Sequence, residues 1–185
     1  MTCNMKKLML PDFFQASEVP IVHKFYRNYF KDCYVCGDVD YIFGPNTAFF
    51  DHCEIHSIAR VSEEKAYITA ASTPAGQEFG LIFSHCRITG EEPDSVYLGR
   101  PWRDCAKTAF ICCELGDHIC PEGWQNWGKV RAEVLSDYIE YGNFGPGADC
   151  YGRSPLSRCL VNPEVETYFS KENVLVGEDG WIPAE

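Results

Sequence analysis

The stretch FFDHCEI, residues 49–55, decides the fold, because its pattern occurs four times along the chain. Each copy has Phe, two variable residues, Cys, one variable residue and then Val, Ile or Leu. The Cys and the aliphatic residue of a copy are two positions apart, so they share one face of a strand. The other copies are YFKDCYV at 29–35, IFSHCRI at 82–88 and FICCEL at 110–115.

The copies recur at irregular intervals. Spacings of 20, 33 and 27 residues separate the aligned cysteines Cys33, Cys53, Cys86 and Cys113. One short strand per copy, followed by loops of varied length, fits these spacings. Stacking such units buries a continuous ladder of like residues, as in a solenoid of parallel strands. We therefore predict an all-β fold, a parallel β-helix, with these cysteines aligned along one interior face.

A short helix is predicted near the C-terminus. Asn162 is a suitable N-cap, Pro163 fits the first helical position, and Glu164 and Glu166 place negative charge in the first turn. Helical signals are scarce in the middle of the chain.

Composition narrows the range of functions. The 185 residues suit one domain, and the net charge of −11 argues against nucleic acid as a partner. No apolar run reaches the roughly 18–20 residues that cross a bilayer, so we expect no membrane partner. The start, MTCNMKKLML, has too short an apolar run for a secretory signal. As written, the chain is interpreted as cytoplasmic or as lacking its native beginning.

Eleven cysteines raise the alternatives of a disulfide framework and a zinc site. The only Cys-x-x-Cys is Cys33–Cys36, which lacks a second such pair, and His52 and His56 are only weakly spaced as ligands. Free Cys is among the most buried residue types. We therefore favour small buried side chains and predict neither a metal nor a cofactor.

Asp40 lies in CYVCGDVDYIFG, residues 33–44, a run of β-branched and aromatic residues that predicts a strand. A carboxylate amid so much apolar surface is unfavourable unless it is paired. From these residues alone, Asp40 is either a tolerated surface acid or a charge held for chemistry.

The second unusual stretch is SVYLGRPWRD, residues 95–104. Arg100 offers a planar charged fork that suits a carboxylate, and Trp102 offers a flat face to a sugar ring. The alternative is an ordinary turn with an exposed cation and a packed Trp.

Together, GDVDYIFG and YLGRPW resemble the two signature segments of pectinesterases, particularly bacterial ones. The resemblance covers roughly residues 24–177. Five further segments fit it: YITAASTPAGQEFG, FSHCRITG, AKTAF, PEGWQNWG and EYGNFGPGA. It implies a right-handed parallel β-helix over residues 24–185, preceded by an atypical segment at 1–23. It also implies hydrolysis of the methyl esters of galacturonate units, with pectin or oligogalacturonide methyl esters as partners.

The resemblance also implies roles. Asp40 matches the nucleophile, which forms an acyl-enzyme intermediate that water resolves. Arg100 matches the arginine that keeps this carboxylate ionised and oriented. Trp102 and Phe43 match aromatic residues of the sugar-binding groove. Trp127 is predicted to line this groove as well, and Trp124 is the alternative residue for that role.

One part of the family pattern is not found. Pectinesterases carry a general acid in a Gln-Asp-Thr-Leu segment, and two glutamines stabilise the oxyanion. Here Gln15 is followed by Ala16, and the nearest acids, Asp12 and Glu18, have a different context. The chain is thus expected to be the larger, C-terminal part of such a domain. Both an active esterase and an impaired remnant that only binds oligogalacturonide or pectin stay open.

Overall fold

The computed structural model describes residues 4–5, 8–9, 26–62, 64–177, 179–181 and 183. The candidate acids Asp12 and Glu18, and Gln15 with them, lie outside these residues. Their predicted roles are therefore not tested by the structure.

Within the described residues, the strands form three sheets in which every strand pairs in parallel with its neighbours. The first sheet has the order β1 (Asn4–Met5), β4 (Tyr34–Gly37), β7 (Glu54–Ser57), β10 (Arg87–Gly90) and β13 (Glu114–Leu115). The second has the order β2 (Leu8–Met9), β5 (Val39–Gly44), β8 (Ala66–Ala71) and β11 (Val96–Pro101). The third has the order β3 (Arg27–Lys31), β6 (Thr47–Asp51), β9 (Leu81–Ser84), β12 (Lys107–Ile111), β14 (Asp137–Tyr141) and β15 (Ser157–Leu160).

The chain visits the third, first and second sheets in turn, so that β3, β4 and β5 form one coil and β6, β7 and β8 the next. Each coil stacks on the previous one through parallel backbone hydrogen bonds. The fold is therefore a parallel β-helix, and the prediction from the sequence is confirmed.

The predicted interior ladder is present. The thiols of Cys53, Cys86 and Cys113 each donate a hydrogen bond of 3.3–3.4 Å to the backbone carbonyl of the Phe one coil below, which is Phe30, Phe50 and Phe83 in turn. The aligned Phe rings stack with centroids 4.5–4.8 Å apart, close to the spacing of neighbouring strands. Cys33 packs against the same core. The repeat thus places these four cysteines on one interior face, as the sequence predicted.

The residue before each ladder Cys turns the chain from the third sheet into the first. It has a left-handed backbone, with φ of 52° to 54°, at Asp32, His52, His85 and Cys112. Because these turns stack coil on coil, their side chains align on the outside of the β-helix. The rings of His52 and His85 are 5.1 Å apart and nearly parallel.

The short helices are α1 (Ala132–Leu135), α2 (Glu164–Tyr168) and α3 (Lys171–Leu175). The predicted C-terminal helix is α2, in which Asn162 Oδ1 accepts a hydrogen bond from the Glu164 amide. α3 buries Val174 and Leu175 in an apolar cluster with residues of the third sheet. No helix in the described part of the chain is long and apolar enough to cross a membrane.

Two cysteines differ from the expectation of free, buried thiols. Cys150 and Cys159 form a disulfide that closes the loop before β15. The loop folds over a buried ion pair, in which Arg153 donates to both carboxylate oxygens of Glu140 at 2.9 and 3.0 Å. Sequence spacing did not predict this bridge, because the two residues are brought together by the turn between them.

Candidate active site

A β-bulge holds Asp40. The register of β5 against β8 shifts between Val39 and Ile42, which places Asp40 and Tyr41 in the bulge. Asp40 takes a left-handed conformation with φ of 47°, while Tyr41 is buried in the core. A bulge changes the direction in which a side chain points from the one that regular strand alternation would give it. The Asp40 side chain keeps 19% of its surface exposed.

Arg100 on β11 pairs with Asp40. Its Nη2 donates to Oδ2 at 2.6 Å, and its Nε donates to Oδ1 at 3.0 Å. This two-pronged contact fixes the position and orientation of the carboxylate. The predicted hydrogen-bonded contact between the two side chains is confirmed.

Two aromatic rings enclose the Arg100 guanidinium. The centroids of Tyr67 and Trp127 each lie 3.8 Å from its central carbon. Two rings at this distance must cover opposite faces of the planar group, and both contacts are favourable cation–π interactions. Burial raises the pKa of Tyr67, with the charge of Arg100 acting in the opposite direction. Tyr67 therefore remains a neutral phenol at physiological pH.

The segment that carries Trp127 is aligned on β11. Gln125 donates its amide to the Gly99 carbonyl at 3.2 Å, and its side-chain oxygen accepts from the Trp127 amide at 2.9 Å. Lys129 continues the same connection by donating to the carbonyls of Pro101 and Trp102 at 2.6 and 2.9 Å. Its ammonium lies 4.4 Å from the Trp127 ring centroid. Burial, and then the charge of Arg103, lower the pKa of Lys129.

The structure shows which of the two tryptophans, Trp124 or Trp127, lies beside the Asp40–Arg100 pair. Trp124 is buried against Gly99, where an added Cβ would lie 3.1 Å from the indole, and it donates to Glu140 at 2.9 Å. Trp127 is 37% exposed and covers Arg100. Trp124 is therefore a core residue, and Trp127 is the one beside the Asp40–Arg100 pair.

Phe43 and Trp102 lie on the C-terminal side of the same pair, three residues after Asp40 and two residues after Arg100. Their rings meet edge to face with centroids 5.4 Å apart. Next to Trp102, a cleft of about 460 Å³ is lined by Pro45, Ser72, Thr73, Pro74, Ala75, Arg103, Asp104, Cys105, Lys129, Arg131 and Leu135. The five predicted site residues are thus brought together on the second sheet and the connection that follows it.

Sequence reasoning missed Tyr67 and Lys129. Tyr67 is in the segment YITAAS, which fits the family resemblance, but its contact with Arg100 appears only in the tertiary structure. In the strand register Tyr67 pairs with Tyr97, three residues before Arg100. Three groups of His, Cys and carboxylate side chains in the described residues are close enough to share a metal ion, and none includes Asp40 or Arg100.

Comparison with known proteins agrees with this geometry. A sequence model of the pectinesterase family, described as "Pectinesterase", matches residues 15–178. The chain belongs to the pectinesterase family. Among its relatives, Pectinesterase 31 of Arabidopsis thaliana is 39% identical over 140 residues, which is 75% of this chain and 43% of that protein. A pectinesterase of Parthenium hysterophorus is 36% identical over 145 residues, 78% of this chain and 38% of that protein.

Solved pectinesterase structures share the fold. The pectin methylesterase from carrot superposes with a TM-score of 0.75 at 29% identity, over 85% of this chain and 52% of the carrot chain. A pectin methylesterase in complex with a hexasaccharide has a TM-score of 0.70 at 28% identity, over 85% of this chain and 53% of the other. The chain thus spans about half the length of the pectinesterases it matches.

Proposed function

We propose that this pectinesterase chain carries the nucleophile of a carboxylic ester hydrolase that removes methyl esters from the galacturonate units of pectin. The observation that carries the proposal is the two-pronged contact of Arg100 with the Asp40 carboxylate. A binding surface alone does not require a carboxylate held in this way. Asp40 is also partly exposed, so a substrate carbonyl can approach it.

In the proposed reaction, a carboxylate oxygen of Asp40 attacks the ester carbonyl carbon. The bond to the methoxy oxygen breaks, and this oxygen takes up a proton and leaves as methanol. The resulting mixed anhydride between Asp40 and galacturonate is attacked by water, which frees both carboxylates and releases two protons. Since methanol took up one proton in the first step, the whole reaction releases one. Arg100 holds the Asp40 carboxylate in position for the attack through its two hydrogen bonds.

The surrounding rings fit a saccharide chain. Trp102, Phe43 and Trp127 present apolar faces near Asp40, and such faces suit the C–H surfaces of sugar rings. The cations of Arg103 and Lys129 lie beside Trp102 and suit galacturonate carboxylates that have lost their methyl groups. One structural relative is a pectin methylesterase bound to a hexasaccharide, which supports an oligosaccharide as ligand.

A second candidate function is binding of pectin without turnover. It is favoured by one feature of the sequence, which lacks the Gln-Asp-Thr-Leu segment that holds the family's general acid. Methoxide is a poor leaving group unless it is protonated as the bond breaks. A positioned general acid contributes about 10²–10⁴ in rate.

The test is methanol release from methyl-esterified pectin by two proteins. One is the 185-residue chain, and the other is a chimera in which the N-terminal coils of the carrot enzyme precede Tyr26. We expect slow or undetectable release by the chain and restored release by the chimera. Asp40→Asn in the chimera should abolish release.

Asp38→Asn is the matched control. Asp38 is exposed two residues before Asp40, and its Oδ1 accepts from the Val39 amide at 2.8 Å, a bond that asparagine keeps. The chimera with Asp38→Asn should retain full activity. Methanol release by Asp40→Asn at the rate of the parent chimera would overturn the proposed nucleophile. Full turnover by the 185-residue chain would instead show that this chain already holds the general acid.

A further inference from the structure

Three potential metal ligands meet on the outside of the β-helix, on the turn that follows the third sheet. His85 and Cys112 occupy the same left-handed turn position in consecutive coils, after β9 and β12. Glu166 reaches them from α2, which follows β15. One ligand atom of each residue lies within 4.8 Å of the other two. A nitrogen, a sulfur and an oxygen therefore converge from three separate elements.

The imidazole of His85 is held as a metal ligand requires. Its Nδ1 lies 3.0 Å from the Ser84 hydroxyl, so Ser84 can accept the Nδ1 proton. Nε2 is then an acceptor, and it lies 3.8 Å from a carboxylate oxygen of Glu166. Metal-bound histidines almost always carry such a second hydrogen bond on the other ring nitrogen.

The sulfur of Cys112 lies against a glycine in the next coil. The equivalent turn position there is Gly142, with φ of 63°, and a Cβ added to it would lie 3.0 Å from Cys112 Sγ. Any larger residue would cover the sulfur. Cys112 is a free thiol and only partly buried, so an ion from solvent can reach it.

The other two candidate clusters have their ligand atoms already engaged. In one, Cys150 and Cys159 are joined in the disulfide and Glu140 is held by Arg153. In the other, Asp94 accepts from the Lys65 ammonium at 2.7 Å, so a cation already occupies the place of the ion. Among the described residues, only the cluster at Cys112 keeps a thiol, an imidazole and a carboxylate together without such a competitor.

We propose that His85, Cys112 and Glu166 bind one divalent transition-metal ion of the Zn²⁺ class, with water as the fourth ligand. Zn²⁺ takes these ligand types at about 2.0–2.3 Å, which corresponds to ligand separations of about 3.4–3.6 Å in a tetrahedron. The separations between the ligand atoms, which are 4.8 Å or less, therefore need to shorten by about 1.4 Å at most. A thiolate and a carboxylate balance the charge of the ion, and the thiol proton is released on binding.

The site fastens α2 to the β-helix. Two ligands belong to the stacked turns and the third to the helix, so the bound ion bridges elements that are far apart in the chain. An ion that binds the folded state and not the unfolded state raises the free energy of unfolding. The role proposed is therefore structural, and it is independent of Asp40 and Arg100.

The experiment is a Co²⁺ titration of the 185-residue chain without oxygen or added thiols, followed by absorption spectroscopy. We expect one equivalent to bind with a sulfur-to-cobalt charge-transfer band, and Zn²⁺ to displace it. Glu166→Gln, an exposed change that leaves the fold intact, and Cys112→Ser should each weaken binding at least about tenfold, and Cys112→Ser should remove the band. Ser84→Ala should weaken binding by a similar factor.

Cys36→Ser is the matched control, because Cys36 is also a free, partly buried thiol and belongs to the Cys33–Cys36 pair. It should bind Co²⁺ as the parent chain does. Loss of the band in Cys36→Ser, or equal affinity in the parent chain and Glu166→Gln, would overturn the proposal. Failure to bind Co²⁺ at millimolar concentration would overturn it as well.

Discussion

Arg100 reaches Asp40 across an intervening strand. The two residues lie on β11 and β5, and β8 pairs with both. Ala70 on β8 is the register partner of Arg100 on one side and of Phe43 on the other. The contact therefore requires three coils stacked in register and the bulge that places Asp40. It joins two strands that are not directly paired with each other. This dependence makes the pair sensitive to substitutions that keep charge but change shape.

The first prediction concerns Arg100→Lys in the chimera. Lysine keeps the positive charge but loses the fork that contacts both oxygens of Asp40 and the flat group between Tyr67 and Trp127. Losing a hydrogen bond to a charged group costs about 1.5–3 kcal/mol, which corresponds to a loss of about 10- to 150-fold in kcat/KM. Initial rates of methanol release measure this loss. Arg87→Lys, at an exposed position on the first sheet, is the control and should change the rate little. An unchanged rate in Arg100→Lys would contradict the proposed role of the fork.

The second prediction separates Trp127 from Trp124. Trp127→Ala removes an exposed ring from Arg100, so we expect weaker binding of oligogalacturonide and little change in thermal stability. Trp124→Phe removes a buried indole that donates to Glu140, so we expect a free energy of unfolding lower by about 1–3 kcal/mol. Calorimetric binding and urea denaturation of both variants check the two effects. The reverse pattern would show that Trp124 is the ligand-binding residue.

The third prediction concerns the buried pair of Glu140 and Arg153, whose side chains are 2% and 4% exposed. Glu140→Gln keeps an oxygen for the Trp124 indole but leaves the Arg153 charge without its partner. Breaking a buried ion pair in this way costs about 3–5 kcal/mol in the free energy of unfolding, measured by urea denaturation. Asp137→Asn, which breaks the exposed contact with Arg158, should cost no more than about 1 kcal/mol. Equal losses in the two variants would contradict the prediction.

The fourth prediction is a pH dependence that arises from His118. Its ring is buried, and neither ring nitrogen has a hydrogen-bond partner among the residues that the structure describes. Burial lowers the pKa of His118 to about 4, with Asp117 opposing and His56 adding to the shift. Between pH 6.5 and 4 the unfolded chain takes up a proton at this residue and the folded chain does not. His118 therefore makes the folded state less stable as the pH falls through this range, by up to about 3 kcal/mol.

Urea denaturation at a series of pH values tests this dependence. His118→Phe, which keeps a ring in the buried position, should lose less stability between pH 6.5 and 4 than the parent chain does. Tyr151→Phe, a change at an exposed position, should follow the parent chain. Parallel curves for the parent and His118→Phe would show that His118 takes up its proton in the folded state.

The sequence alone predicted the parallel β-helix, because the Phe, Cys and aliphatic positions of each copy form a local pattern that repeats in every coil. It also predicted that Asp40 and Arg100 meet, since both lie in segments that resemble family signatures. The catalytic and binding roles of these residues stay predictions until the rates are measured.

Other features were decided only by the tertiary structure. The sequence could not show that Tyr67 and Trp127 enclose Arg100, that Trp124 belongs to the core, or that Cys150 and Cys159 form a disulfide. Nor did it place His85, Cys112 and Glu166 together. A repeat fixes which residues face inward, because strand alternation is local. Contacts on the outside of the β-helix depend instead on which turns and loops stack in neighbouring coils, and loop lengths that vary from coil to coil leave that register unspecified until the chain is folded.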